Sequence, residues 1–207
     1  MPAKAVPAMK EYAEKLVADN PDYHMVGQFT NEANPNMHYN TTGPELWTQS
    51  KKKIDYLISG AGTGGTVTGC GRYLKEKNPN VKIICVEPTE SRVMVGNQPS
   101  PHTILGIGAG IPVHFIQQEA PEQELQPGPR GNIDDFASAT SEEAIYWAKE
   151  LAKKEGIMVG PSSGAAMKVA IDIARKPESK GKTIVFISTS HGIRYTAQPQ
   201  RKTAKEE

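Results

Sequence analysis

The chain has 207 residues, of which 37% are hydrophobic and 23% are charged, and its net charge is +1. This length suits one full domain and part of another. The near-neutral charge argues against a nucleic-acid partner or an anionic membrane surface, and no apolar run approaches the roughly 20 residues of a membrane-spanning helix.

The first fifty residues contain two helical patterns and two polar or extended stretches. Apolar side chains at helical spacing predict a helix over 6–17, and 23–29 is a candidate strand. The polar segment 31–36 predicts a turn that crosses between subdomains. Thr42 and Glu45 have the spacing of a capping box, which predicts a short helix up to Trp47.

A strand, a helix and a second strand follow in the next forty residues. The patterns predict a strand over 54–58, a helix over 66–76 and a strand over 81–86. This order is typical of a βαβ unit in a parallel sheet. The Gly- and Pro-rich stretch 97–112 is interpreted as a long functional loop, and the polar stretch 117–132 as a surface insertion.

The last part of the chain repeats the alternation of helices and strands. Thr140 and Glu143 are expected to cap a helix that ends at Gly156. A short buried strand over 157–159, a helix over 165–175 and a last strand over 183–188 follow.

A glycine-rich turn joins the strand over 54–58 to the helix behind it. Its residues Gly62, Thr63, Gly64, Gly65 and Thr66 combine flexible backbone, two hydroxyl groups and a helix start with unpaired N–H groups. Such a helix start binds phosphate. Gly60, Gly62 and Gly65 also satisfy G-x-G-x-x-G, and Glu87 follows about 20 residues later, as in a dinucleotide site. That alternative stays open at this point, whereas no lysine follows the last glycine as a Walker loop requires.

A second Gly- and Ser-rich junction spans 160–164. Ser162 is either a simple helix cap or a neutral hydroxyl group that faces the ring nitrogen of a cofactor. A serine can donate to an unprotonated nitrogen without charging the ring. The five histidines lack metal-ligand spacing, so no metal site is expected. Cys70 and Cys85 are expected to be free thiols in a reducing, intracellular setting.

Several ordered motifs together resemble those of one enzyme family. They are Gln28-Phe29, Asn34-Pro35, His38-Tyr39, the segment 41–45, Gly62 to Thr66, Glu87-Pro88, Pro101-His102, and the segments 106–110 and 160–165. The chain from about residue 2 to 195 is similar to the cysteine synthase (O-acetylserine sulfhydrylase) and cystathionine β-synthase family. The resemblance implies the tryptophan-synthase-β fold type, a three-layer αβα arrangement with a mostly parallel twisted sheet, and a pyridoxal 5'-phosphate cofactor.

The resemblance also implies roles for individual residues. Gly62, Thr63, Gly64, Gly65 and Thr66 would bind the cofactor phosphate, and Ser162 would face the pyridine nitrogen. Gln28 would contact the substrate carboxylate, and Gly106 would lie in the loop that lines the active site. The implied reaction replaces the acetate of O-acetylserine with sulfide to give cysteine.

The chain departs from the family pattern at its beginning. The family's first third, which carries the lysine that binds the cofactor covalently, has no counterpart, and no S-V-K-D-R-like segment occurs. No catalytic residue is therefore assigned, and the chain is expected to be a fragment or half of a split protein, impaired in turnover on its own.

The expected organisation follows from the same comparison with the family. It comprises a remnant of the smaller subdomain (1–35), a large cofactor-binding domain (36–198) and a charged tail (199–207). A homodimer, or a partner chain that supplies the missing segment, is expected. A non-catalytic subunit that pairs with an intact homologue is the alternative. A cytoplasmic location is expected, and an organellar one stays open.

Overall fold

A four-stranded parallel sheet forms the centre of the molecule. The computed structural model of the chain describes residues 5–118 and 130–195. The strands are Tyr56–Gly60 (β1), Lys82–Pro88 (β2), Asp135–Ala139 (β3) and Ile184–Phe186 (β4). They lie in the order β3-β2-β1-β4, and each pairing is parallel. The predicted parallel α/β sheet is confirmed.

Helices precede, connect and cover the strands. They are Ala5–Asp19 (α1), Ala33–Asn40 (α2), Thr42–Gln49 (α3), Gly65–Lys77 (α4), His114–Gln118 (α5), Ser141–Glu155 (α6) and Pro161–Ala174 (α7). Short 3₁₀ helices span Val93–Val95, Pro177–Ser179 and Gly192–Tyr195. Within the two described ranges, none of the helices has the length and apolar character that crossing a bilayer requires.

The side chains of the sheet alternate between two hydrophobic cores. Ile83 and Cys85 of β2 belong to a cluster that includes Val67 and Leu74 of α4, and Leu46 and Trp47 of α3 pack against it. Ile84 and Val86 belong to a second cluster with the small side chains of α7, such as Ala165. Because successive strand residues point to opposite faces, the sheet separates α3 and α4 from α6 and α7. This is the expected three-layer αβα arrangement.

Local sequence signals explain the boundaries of the two long helices on the second face. The Thr140 hydroxyl accepts the backbone N–H of Glu143, whose carboxylate accepts the backbone N–H of Thr140, so the predicted capping box is present. Gly156 ends α6 in the left-handed region, at φ 73°, where glycine is least strained. Pro161 occupies the first turn of α7, a position where its missing N–H has no cost.

Three predictions for the first fifty residues were wrong. The described chain has no strand over 23–29, where only turns and irregular backbone occur. The polar segment 31–36 turns only briefly before α2 begins at Ala33, because α2 is held by its packing on α4. The short helix predicted after position 42 is present as α3, but the predicted capping box of Thr42 and Glu45 is absent, because Thr41 occupies the cap position and no side chain caps the helix.

Two further differences concern the second half of the chain. The buried strand predicted over 157–159 is absent, since Ile157 and Met158 are 52% and 43% exposed and Val159 forms only an isolated bridge with His191. The edge strand β3 was not predicted, because its sequence is rich in small and polar residues.

Parts of the predicted organisation stay untested. The core of the predicted insertion, 119–129, and the tail 199–207 lie outside the described residues. Helix α2 runs across position 35, so the proposed domain boundary there falls within one helix. The division into 1–35 and 36–198 stays a prediction.

Candidate functional site

A cavity of about 480 Å³ lies at the carboxyl edge of the sheet, next to Gly60 of β1 and Ile187 behind β4. Ligands of open α/β proteins bind at this edge, and the volume is in the range of small-molecule sites. All eight residues predicted for the site line this one cavity: Gln28, Gly62, Thr63, Gly64, Gly65, Thr66, Gly106 and Ser162.

The glycine-rich turn forms the part of the cavity at the start of α4. Gly64, the residue before α4, has φ 85° and provides no side-chain cap. The N–H groups of the first helical turn lack intrahelical acceptors by geometry, and the helix dipole adds positive potential there. Thr63 and Thr66 add hydroxyl groups that line the same space.

Larger residues would not fit at the glycines of this turn, because neighbouring segments lie in direct contact with its backbone. A Cβ atom at Gly62 would lie 2.5 Å from the carbonyl oxygen of Gly106, and one at Gly65 would overlap Asn34 Oδ1. At Gly64, both the positive φ and a clash with Val113 oppose a larger residue. The turn is therefore packed between α2 and the loop that contains Gly106.

Two residues of α2 hold the hydroxyl groups of the turn in place. Asn34 Nδ2 donates to Thr63 Oγ1 at 2.9 Å and to the backbone oxygen of Gln28 at 2.8 Å. The ring of His38 lies between two hydroxyl groups, with Nε2 3.1 Å from Thr66 Oγ1 and Nδ1 2.9 Å from Thr42 Oγ1. Burial lowers the pKa of His38, so a neutral ring with one donor and one acceptor nitrogen connects α3 to the turn.

Neither Asn34 nor His38 was predicted as a site residue. Their spacing of four residues on one helix was the available signal, because it places them on the same face of α2. The sequence could not reveal that this face packs on the start of α4.

The start of α7 forms the opposite part of the cavity. Ser162 is 6% exposed, and its Oγ lies 3.1 Å from Oγ1 of Thr189, in the segment that follows β4. Gly160, not Ser162, occupies the cap position, so the helix-cap interpretation of Ser162 is wrong. Ser190 and Tyr195 line the cavity beside them, joined by a 2.8 Å hydrogen bond between their hydroxyl groups.

Hydrogen bonds attach the loop 106–110 to the residue behind β1 and to His102. Gly108 N–H donates to the carbonyl of Ala61 at 3.1 Å, and His102 Nε2 bonds the carbonyl of Gly108 at 2.9 Å. Gly106 and Gly108 have φ 93° and 65°, values that a larger residue rarely adopts. This segment was predicted as a functional loop, and Gly106 does line the cavity.

Glu87 does not have the position that a dinucleotide site requires. It is 4% exposed, and its Oε1 accepts the backbone N–H of Met94 at 2.8 Å. Burial raises the pKa of Glu87 to about 7. The Glu87 side chain does not line the cavity. Its buried hydrogen bond to Met94 indicates a structural role, so Glu87 does not act as the ribose-binding acid of a dinucleotide site.

Comparison with known proteins identifies the family. The sequence model of the pyridoxal-phosphate dependent enzyme family matches residues 4–190. The chain belongs to this family. It is 43% identical over 194 residues to cysteine synthase 3 of Caenorhabditis elegans, covering 94% of this chain and 54% of that protein. It is 40% identical over 203 residues to cysteine synthase A of Escherichia coli K12, covering 93% and 59%.

Solved structures of the family show the same fold. The crystal structure of cysteine synthase from Entamoeba histolytica matches with a TM-score of 0.87 and 36% identity, covering 99% of this chain and 57% of that one. An O-acetylserine-dependent cystathionine β-synthase from Helicobacter pylori matches with a TM-score of 0.82 and 32% identity, covering 96% and 60%. The chain therefore spans a little over half the length of these relatives.

The cavity has the donors that the family's cofactor requires. A phosphate ester needs N–H and O–H donors, which the first turn of α4, Thr63 and Thr66 present, with the Gly65 N–H 3.4 Å from Thr63 Oγ1. A pyridine ring needs a partner for its nitrogen, and the Ser162 hydroxyl faces the same space. The described lining has no charged side chain, so the fit depends on helix dipoles and neutral donors.

Proposed function

We propose that this chain holds pyridoxal 5'-phosphate in the cavity and takes part in a β-replacement reaction that makes cysteine from O-acetylserine and sulfide. The observation that carries the proposal is the convergence of Gln28, Gly62 to Thr66, Gly106 and Ser162 on one cavity. These residues are far apart in the sequence. The cysteine synthases among the relatives support the choice of reaction.

The proposed role of α4 is to bind the phosphate group. Its first-turn N–H groups and the hydroxyl groups of Thr63 and Thr66 donate hydrogen bonds, and its dipole stabilises the negative charge. Asn34 and His38 hold these hydroxyl groups, which lowers the cost of ordering them when the phosphate arrives.

The proposed role of α7 is to bind the ring. Ser162 donates its hydroxyl hydrogen to the ring nitrogen, and the positive end of α7 disfavours a proton on that nitrogen. When bound, the cofactor supplies an electron sink for cleavage of bonds in the amino-acid substrate. The exposed Gln28 side chain, at the mouth of the cavity, binds the substrate carboxylate, and Gly106 leaves room for the substrate.

The test of this proposal is a calorimetric titration of the purified chain with pyridoxal 5'-phosphate and with pyridoxal. We expect the phosphate ester to bind and pyridoxal to bind at least tenfold more weakly, since it lacks the charged group. Thr66→Val should weaken binding of the ester by about tenfold, the size of one hydrogen bond to a charged group. Thr48→Val, on the exposed surface of α3, should leave it unchanged.

Two results would contradict the proposal. Equal affinity for the ester and for pyridoxal would show that the start of α4 does not bind the phosphate. Tight binding of NADH without binding of the ester would favour the dinucleotide alternative.

The proposal includes impaired turnover by this chain on its own. It is supported by the lack, in this sequence, of the S-V-K-D-R-like segment that carries the cofactor-binding lysine in the family. Cysteine formation from O-acetylserine and sulfide should stay at background when only this chain and the cofactor are present. Sustained turnover would show that the chain is a complete catalyst.

The proposed assembly is a homodimer, or a complex with a chain that supplies further parts of the active site. A second candidate is a non-catalytic subunit that pairs with an intact homologue. It is favoured by the exposed apolar side chains of α1 and the segment behind it, where Met9, Tyr12 and Val26 are 60%, 65% and 82% exposed. Co-purification with a full-length relative, followed by sedimentation analysis, distinguishes these assemblies from a monomer.

A reducing compartment such as the cytoplasm is part of the proposal. Cys70 and Cys85 are both buried free thiols, which supports a setting where disulfides do not form.

A further inference from the structure

The hydrogen of the Ser162 hydroxyl has two competing acceptors once a ring nitrogen lies in the cavity. A serine hydroxyl has one hydrogen and two lone pairs. Its Oγ is 3.1 Å from Thr189 Oγ1, and either oxygen can donate in this pair. If Ser162 donates to Thr189, it has no hydrogen left for the ring nitrogen. The direction of this hydrogen bond therefore decides what Ser162 offers to a ligand.

The position of Thr189 is fixed by contacts that do not involve a ligand. Its backbone N–H donates to Ser163 Oγ at 3.1 Å, and Gly160 N–H donates to the carbonyl of Ser190 at 3.0 Å. These two bonds attach the segment behind β4 to the start of α7. The Thr189 hydroxyl is thereby held beside Ser162, while its side chain lines the cavity.

We infer that Thr189 is a positioning residue that donates its hydroxyl hydrogen to Ser162 and so directs the Ser162 hydrogen to an unprotonated ring nitrogen. This inference rests on the proposed cofactor binding. Donation by Thr189 also polarises the Ser162 O–H bond, because hydrogen bonds in a chain strengthen one another. This polarisation strengthens the hydrogen bond from Ser162 to an unprotonated nitrogen and so lowers the pKa of the nitrogen. The dipole of α7 acts in the same direction, because its positive end disfavours a proton there.

The chain offers variants that separate this role from simple packing. Thr189→Val keeps the size of the side chain and removes the hydroxyl group, and Thr189→Ser restores the hydroxyl group. Ser188→Ala is a matched control, because Ser188 lies in the same segment but its Oγ bonds Ser163, 3.4 Å away, rather than Ser162.

The experiment follows the ring nitrogen directly. Each variant is loaded with pyridoxal 5'-phosphate that carries ¹⁵N in the ring, and the ¹⁵N chemical shift is recorded between pH 5 and 9. In the parent protein we expect an unprotonated nitrogen at neutral pH. In Thr189→Val the Ser162 hydrogen can still reach the nitrogen but loses the polarisation by Thr189, so the pKa of the nitrogen should rise by about 0.1 to 0.3 unit, the size of a cooperative strengthening of one hydrogen bond. Thr189→Ser and Ser188→Ala should titrate like the parent.

A double-mutant cycle tests whether Thr189 acts through Ser162. In a Ser162→Ala background, Thr189→Val should no longer shift the titration. Identical titration of Thr189→Val and the parent, or the same shift with and without Ser162, would overturn the inference, as would a protonated nitrogen at neutral pH in the parent.

The outcomes also distinguish this inference from the function on which it rests. If the ester binds more tightly than pyridoxal but the ring nitrogen titrates alike in Thr189→Val and the parent, Thr189 does not have the inferred role and the proposed function still stands. If the ester does not bind to the parent protein, both proposals are wrong.

Discussion

Glu87 shows how burial can give one carboxyl group an unusual acid–base property. One of its oxygens accepts the N–H of Met94, whereas the other is buried without a hydrogen-bond partner. Burial is the largest influence and raises the pKa of Glu87, while the Met94 bond and the charges of Arg92 and Arg130 oppose it. The net result is a pKa of about 7 instead of the ordinary 4.5.

This raised pKa predicts a fall in stability with rising pH. Between pH 4.5 and 7 the folded chain binds more protons at Glu87 than the unfolded chain, so the free energy of unfolding decreases as pH rises through this window. The shift corresponds to about 3 kcal/mol at most. Glu87→Gln cannot titrate and should lack this decrease. Urea unfolding at pH 5, 6, 7 and 8 measures it.

The control for this prediction is Glu155→Gln at the exposed end of α6. It should retain the pH dependence of the parent protein. Parallel curves for Glu87→Gln and the parent would show that Glu87 is ionised in both states across this range.

At the residue scale, sequence motifs identified the hydroxyl groups that line the cavity better than the residues that hold them in place. Thr63, Thr66 and Ser162 stand in local motifs whose chemistry can be interpreted directly. Their partners Asn34 and Thr189 are separated from them by 29 and 27 residues, so they become neighbours only after the chain has folded. Glu87 is an opposite case. Its spacing from the glycine-rich turn matches that of a dinucleotide site, but the side chain is buried and bonds the backbone of Met94 instead of lining the cavity.

At the scale of elements, the packing of α2 on α4 connects stability to the proposed phosphate site. A Cβ atom at Gly69 would overlap the carbonyl of Pro35 and lie 2.9 Å from the backbone nitrogen of Tyr39. Glycine at this position therefore permits the close approach of α2. That approach brings Asn34 and His38 to the start of α4.

Two glycines of the same helix should respond in opposite ways to alanine. Gly69→Ala should lower the free energy of unfolding by about 1–3 kcal/mol, because backbone atoms must move, and it should weaken binding of pyridoxal 5'-phosphate. At Gly71 a Cβ atom would make ordinary contacts of 3.5 Å with Ile83 and 3.6 Å with Asn132. Gly71→Ala should raise stability by about 0.5–1 kcal/mol, since glycine is unfavourable within helices.

Chemical denaturation and the ester titration measure both variants side by side. Equal stability of the two would mean that α2 does not pack on α4 at Gly69. A destabilised Gly69→Ala that binds the ester normally would separate the packing of α2 from the phosphate site.

Elements were predictable from sequence where their signals were local. Helix α6 carries its own capping box and terminal glycine, and both ends were predicted well. Helix α2 was missed because its short polar sequence is stabilised by contact with α4. The edge strand β3 is rich in small and polar residues, and its pairing with β2 determines its conformation.

At the scale of the whole molecule, the cavity joins segments that the sequence separates. The start of α4, the loop 106–110, the start of α7 and the segment behind β4 all line it. A ligand that contacts all of them should therefore stabilise both helical layers together, because only the folded chain presents these segments in one place.

Pyridoxal 5'-phosphate at one hundred times its Kd should accordingly raise the free energy of unfolding by about 2.7 kcal/mol. Hydrogen exchange should slow at the amides of 63–67 and of 162–164, since the phosphate would lie at the first segment and the ring at the second. Inorganic phosphate is the matched control, and it should protect 63–67 alone. Protection of 63–67 without 162–164 by the full ester would mean that the ring does not reach α7, and the assignment of Ser162 would then be wrong.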